Sequence, residues 1–148
     1  MTLRLDYQAL TAGGMKALGA VYAYVGGCGL PKDLVDLVYL RVSQINGCSY
    51  CVDSHSHDLL RAGTPPRKLM LLSVWREAGS QFSDRERSAL AWAEAVTQLA
   101  DGHVSDETFT VVRAQFSEKE VADLTVAIGL INSYNRIAIS FRRGPPSE

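Results

Sequence analysis

The chain has 148 residues, 47% of them apolar and 21% charged, with a formal net charge of −1. That is the size and balance of one ordinary domain able to bury a core, and it argues against a nucleic-acid-binding protein. Cations such as Arg85, Arg87, Arg142 and Arg143 stand among acidic neighbours or at the chain end rather than in a stripe.

The predicted elements are all helical. Tyr7 to Val25 carries apolar residues at helical spacing (Leu10, Met15, Leu18, Val21, Tyr22, Val25), and Gly26, Gly27 and Gly29 end it. Pro31 and Asp33 open a second helix with Leu34, Leu37, Val38 and Val42 on one face, stopped by Asn46 and Gly47. A third starts at Cys48 and runs to about Ala62, before Gly63. Thr64, Pro65 and Pro66 restart the chain for a helix through Trp75. Ser83 with Glu86, and Ser117 with Glu120, have capping-box spacing, and Ser105 opens a further helix between them. The last helix runs through Leu124, Ile128, Ile131 and Ile137 to Phe141, where Gly144, Pro145 and Pro146 end it. The expectation is an all-α bundle of about six to seven helices in one domain over 1–148, with 144–148 a flexible tail. The apolar stripes read as core, with any surplus available to a subunit interface. Asn132, Asn135 and Arg136 interrupt the last stripe and read as an oligomer contact.

No apolar run reaches the ~18 residues that span a membrane; the longest, Val121 to Ile131, contains Asp123 and Gly129. Met1 to Leu10 carries an acid and lacks the basic-then-apolar pattern of a secretory leader. A cytoplasmic location follows as an expectation. Thiols stay reduced there, so a close cysteine pair points to redox chemistry or a metal rather than a structural staple.

That pair is Cys48 and Cys51, with His55 and His57 downstream. On a helix turning ~100° per residue, Cys51 falls about 60° behind Cys48 and His55 about 20° behind it, whereas His57 falls roughly opposite. Geometry therefore pairs His55 with the thiols and leaves His57 out. Residues three apart on a helix can also form a disulfide without rebuilding the backbone. The helix break at Asn46 and Gly47 puts Cys48 at a new N-terminus, where free N–H groups favour a thiolate. His55 can accept the thiol proton, and either Asp36 or Asp53 can hold the imidazole. Two other readings remain open on the residues alone: a metal-binding or stress-response module using Cys48, Cys51 and His55, and an oligomeric scaffold that tolerates its cysteines. Cys28, between glycines, reads as incidental, and Trp75 and Trp92 read as core.

The run Ser43-Gln44-Ile45-Asn46-Gly47-Cys48-Ser49-Tyr50-Cys51, followed by His55, is similar to the alkylhydroperoxidase D-like family within the wider carboxymuconolactone decarboxylase group. The similarity extends through Trp75-Arg76-Glu77 and Phe82 to Arg87, and on to Asn132 to Arg136, covering most of the chain beyond about residue 30. The resemblance implies an all-helical homo-oligomer (dimer, trimer or hexamer) that reduces hydroperoxides without a cofactor or metal. It makes Cys51 the peroxidatic thiol and Cys48 the resolving one, with a dithiol partner, lipoamide-like or thioredoxin-like, restoring both. His55 matches the family histidine, backed by a glutamate twelve positions before the first cysteine. Here that position is Asp36, one methylene shorter, so that either a water completes the relay or Asp36 is a weaker partner. The residue before the second cysteine is Tyr50, where some members have histidine.

Overall fold

Prolines, glycines and serine caps set most of the boundaries in the computed structural model, which describes residues 2–146. Eight α-helices follow in order among these residues: α1 (Tyr7–Leu10), α2 (Ala12–Gly27), α3 (Lys32–Asn46), α4 (Ser49–Arg61), α5 (Pro66–Leu71), α6 (Asp84–Thr97), α7 (Asp106–Gln115) and α8 (Glu118–Ser140). Short 3₁₀ turns cover Leu72–Glu77, Gly79–Gln81 and Leu99–Asp101, and there is no strand among the described residues. Both capping boxes form: the Ser83 and Ser117 side chains accept from the N–H groups of Glu86 and Glu120, whose carboxylates return the bond.

Two expected helices are broken, one of which adds an α-helix to the count and the other a 3₁₀ turn. Thr11 leaves the helical region (φ −122°, ψ 37°) and ends α1 before α2 begins. The helix expected through Trp75 stops at Leu71, because Val74 departs from helical geometry (φ −120°, ψ 30°). This break lets the indole of Trp75 enter the core and donate to Glu94 at 2.9 Å. The carbonyls it frees are taken by Arg87, which donates to Trp75, Arg76 and Gly79 at 3.0–3.2 Å.

Helix α3 is the central element, with buried side chains on all sides. Val35, Val38, Tyr39 and Val42 pack with Ala93, Leu124 and Ile128 from α6 and α8. Leu37 and Leu40 face a second cluster with Leu59, Leu72, Trp75 and Leu90. Because α3 lies between two apolar clusters, its sequence is apolar nearly all round instead of striped. Helix α2 is the opposite case. Of its stripe only Val25 is buried, while Tyr22 and Leu10 just before it are exposed at 45% and 72%. Met15, Leu18 and Val21 are half-buried, so this stripe is in large part the surplus that the sequence left available to a subunit interface.

Asn132 and Asn135 have partners within the chain. The Asn46 amide donates to both, at 3.0 and 2.9 Å, and Asn135, fully buried, donates to Ser43 Oγ at 3.0 Å. Asn132 donates onward to Thr97, and Arg136 donates back to Asn132. These polar groups also bond to one another inside the chain, fastening the end of α3 to α8, while Arg136 stays exposed.

Candidate active site

The cysteine segment is shaped by the α3–α4 junction. Gly47 takes a left-handed conformation (φ 72°) that ends α3, and the N–H groups of Gly47 and Cys48 close on Gln44 and Ser43 carbonyls at 3.3 and 3.0 Å. Cys48 is the N-cap of α4, and the N–H of Cys51 points at Cys48 Sγ from 3.4 Å. No acidic residue stands in the first turn of α4 to oppose an anion there. The unpaired N–H groups and the helix dipole thus favour a thiolate on either sulfur. The two cysteines are joined as a disulfide with Cα atoms 5.4 Å apart, inside the range that unstrained backbones present. Cys28 is a free thiol.

Both thiols of the pair are buried, but they face different spaces. Cys51 and His55 line one cleft of about 300 Å³, together with Tyr22, Tyr50, Asp58 and Tyr134. Cys48 lines a neighbouring cavity with Gly47, Ser49, Gly144 and Pro145. Of the tail expected at 144–148, residues 147–148 lie outside the described residues. Arg143 borders both spaces, lying over the Tyr50 ring at 4.2 Å and donating to the Tyr50 and Tyr7 hydroxyls at 3.0 and 3.1 Å.

His55 is buried, with its ring tilted against Tyr39 at 5.0 Å between centroids. Its Nδ1 lies 3.7 Å from Asp36 Oδ1, an ion-pair separation and too long for a hydrogen bond. Asp36, reaching in from α3, is itself buried and paired to Lys32 one turn earlier. Burial pushes the Asp36 carboxyl up, but His55 and Lys32 outweigh it and hold the group below its ordinary range. Nδ1 of His55 and the hydroxyl of Tyr39 have no hydrogen-bond partner among the described residues. Burial also raises the Tyr39 phenol well above its ordinary value, so it stays protonated.

The structure thus brings Cys48, Cys51, His55 and Asp36 together. It does not bring in Asp53 or His57: His57 is exposed and its Nδ1 lies 2.9 Å from the Asp53 carbonyl and 3.4 Å from its carboxylate. Asp36, not Asp53, is the carboxylate behind His55, because α3 packs directly across the inner face of α4. A zinc set of both cysteines and both histidines does not assemble, since His57 lies on the outer face of α4. The donors that converge are Asp36, His55 and Asp58, with one ligand atom of each within 4.8 Å of the others. Asp58 and Arg143 carried no sequence signal. Asp58 follows His55 at helical spacing, but nothing marked it until Asp36 arrived from another helix.

Comparison with known proteins agrees with this architecture. Residues 9–95 match the model of the carboxymuconolactone decarboxylase family. The uncharacterized protein YdfG of Bacillus subtilis is 32% identical over 140 residues, covering 95% of either chain. A crystal structure of a protein of unknown function from Agrobacterium tumefaciens, suggested to be the antioxidant defence protein AhpD, superposes with a TM-score of 0.95 at 39% identity. That match covers 99% of this chain and 100% of the other. A shorter match, 50% identical over 40 residues, is to the alkyl hydroperoxide reductase AhpD of Beijerinckia indica; it spans 27% of this chain and 22% of that one. With its helical fold and cysteine-bearing α3–α4 junction, the chain belongs to the carboxymuconolactone decarboxylase family, on its AhpD-like side.

Proposed function

We propose that the chain is a thiol-dependent peroxidase that reduces hydroperoxides at Cys51 and is reset by a dithiol. The observation that carries this reading is the placing of Cys51 and His55 in one cleft, while Cys48 stands within disulfide reach behind them. In the reduced chain His55 takes the Cys51 proton. The thiolate then attacks the terminal peroxide oxygen, the O–O bond breaks, and the alkoxide takes the proton back from His55 to leave as alcohol. Cys51 is now a sulfenic acid. The Cys48 thiol displaces its hydroxyl, releasing water and closing the disulfide. A dithiol of the lipoamide or thioredoxin kind exchanges with that disulfide and restores two thiols. Asp36, whose Oδ1 lies 3.7 Å from Nδ1, is the positioning carboxylate behind His55.

A homo-oligomer fits the same reading. Helix α2 carries apolar side chains at the surface, and its Met15 and Tyr22 border the cleft, so a second subunit covering α2 would close the site against water. A reducing, cytoplasmic location keeps the thiols ready. The assignment of roles is tested by trapping. In Cys48→Ser, a peroxide pulse should leave a sulfenic acid on Cys51 that reacts with dimedone. In Cys51→Ser no such adduct should form, and peroxide consumption should cease. Full peroxide reduction by Cys51→Ser would overturn the proposal.

A further inference from the structure

At the edge of the cleft, three donors from two helices converge, and one of them, Asp58, has no part in the redox chemistry. We infer that Asp36, His55 and Asp58 form a site for one divalent first-row cation of the zinc class, separate from the thiols.

Nδ1 of His55 is the first pointer to a ligand. His55 is at least nine-tenths buried, yet its Nδ1 has no hydrogen-bond partner among the described residues. Burying a polar atom without a hydrogen bond is costly, and at 3.7 Å Asp36 is too far to make one, so the atom has room for a further partner. Two carboxylates stand around it. Asp36 Oδ1 lies 3.7 Å away across from α3, and Asp58 follows on α4, one turn beyond His55. All three ligand atoms fall within 4.8 Å of one another. A tetrahedral ion with bonds of about 2.0–2.2 Å holds its ligands roughly 3.4 Å apart, so a modest closure of rotamers suffices. The fourth position would open on the cleft that His55 and Asp58 line.

Charge points the same way. Two carboxylates face one another here with a single cation, Lys32, whose side chain is 73% exposed and pairs with Asp36 from outside. A divalent ion displacing Lys32 would neutralise both carboxylates. Imidazole with two carboxylates is a mixed nitrogen and oxygen set that suits zinc or cobalt better than calcium or magnesium. A cation on His55 would also remove the base from Cys51. That consequence rests on the proposed peroxidase reading; binding itself does not.

The test uses the full-length protein oxidised to its Cys48–Cys51 disulfide, which removes both site thiolates as competing ligands. Calorimetric titration with zinc chloride in a non-chelating buffer should give one equivalent bound. Asp58→Asn, with helicity checked by circular dichroism, should bind roughly tenfold or more weaker, since even partners of metal ligands are worth that much. Lys32→Gln should bind more tightly, because it removes the competing ammonium; a merely structural role for the cluster predicts no such gain. In the reduced protein, zinc should slow peroxide-driven disulfide formation in the parent chain far more than in Asp58→Asn. Absence of binding to the oxidised protein, binding unchanged in Asp58→Asn, or binding confined to the reduced thiols would each overturn the proposal. Zinc binding without any peroxide-driven disulfide would instead leave the site standing and remove the peroxidase reading.

Discussion

Replacing Glu94 by glutamine keeps the side-chain shape and deletes its charge, which isolates one ionic junction of the fold. The carboxylate is 7% exposed and accepts from Arg41 Nε at 2.7 Å and Trp75 Nε1 at 2.9 Å, with Arg76 as a third donor. Arg76 is 58% exposed and can turn to water, so its loss matters little. Arg41 sets the cost. Its side chain is only 16% exposed and has no other carboxylate among the described residues. Breaking a buried pair from one side costs about 3–5 kcal/mol, and the lower end applies because glutamine still accepts a hydrogen bond. At roughly 3 °C per kcal/mol for a domain of this size, the unfolding midpoint should fall by about 10 °C. Calorimetry of both proteins at pH 7 reads this directly. A fall of under about 3 °C, with α-helical content unchanged, would refute the reasoning that Arg41 is left uncompensated. The same variant tests the acid limb. Burial raises the Glu94 carboxyl, but its three donors outweigh it and hold the group below its ordinary 4.5. Its contribution is therefore complete above that value and lost as pH falls through the depressed one, so Glu94→Gln should flatten the acid dependence of stability.

Other positions give sharper local tests. Asn135→Leu removes the buried amide shared by Ser43 and Asn46, leaving Ser43 Oγ without its donor and Asn46 with Asn132 alone. Urea unfolding should show a loss of about 2–3 kcal/mol. Gly47→Ala meets no atom within 4 Å of the new Cβ, but the position holds φ 72°, so the whole cost is backbone strain. A loss of about 1 kcal/mol by urea titration is expected, with the disulfide still forming on oxidation; a loss above about 3 kcal/mol would contradict it.

How much of this was legible in the sequence follows from how local each signal is. The capping boxes at Ser83 and Ser117, the stop at Gly47 and the choice of His55 over His57 depend on neighbours within a turn or two, and all appear in the structure. The carboxylate behind His55 was ambiguous on the residues alone, because Asp36 and Asp53 differ only in which helix packs against which. The break at Val74 was hidden because its cause, the bonds from Trp75 to Glu94 and from Arg87 to freed carbonyls, spans 8 to 19 residues. The internal bonds of Asn135 were hidden for the same reason: its partners, Asn46 and Ser43, lie some 90 residues away. Helix α2 was undecided by periodicity, since an apolar stripe marks a face that is covered, not what covers it.

The central claim is that Cys48 and Cys51 form a working dithiol that peroxide closes and a reductant opens. Mass spectrometry of the reduced protein after one equivalent of hydroperoxide tests it most directly, with Cys28 as an internal free-thiol reference. The account predicts rapid, stoichiometric loss of two hydrogens at the Cys48–Cys51 peptide, reversed by dihydrolipoamide, while Cys28 stays reduced. Oxidation spread evenly over the three cysteines, or a pair left as free thiols, would contradict it.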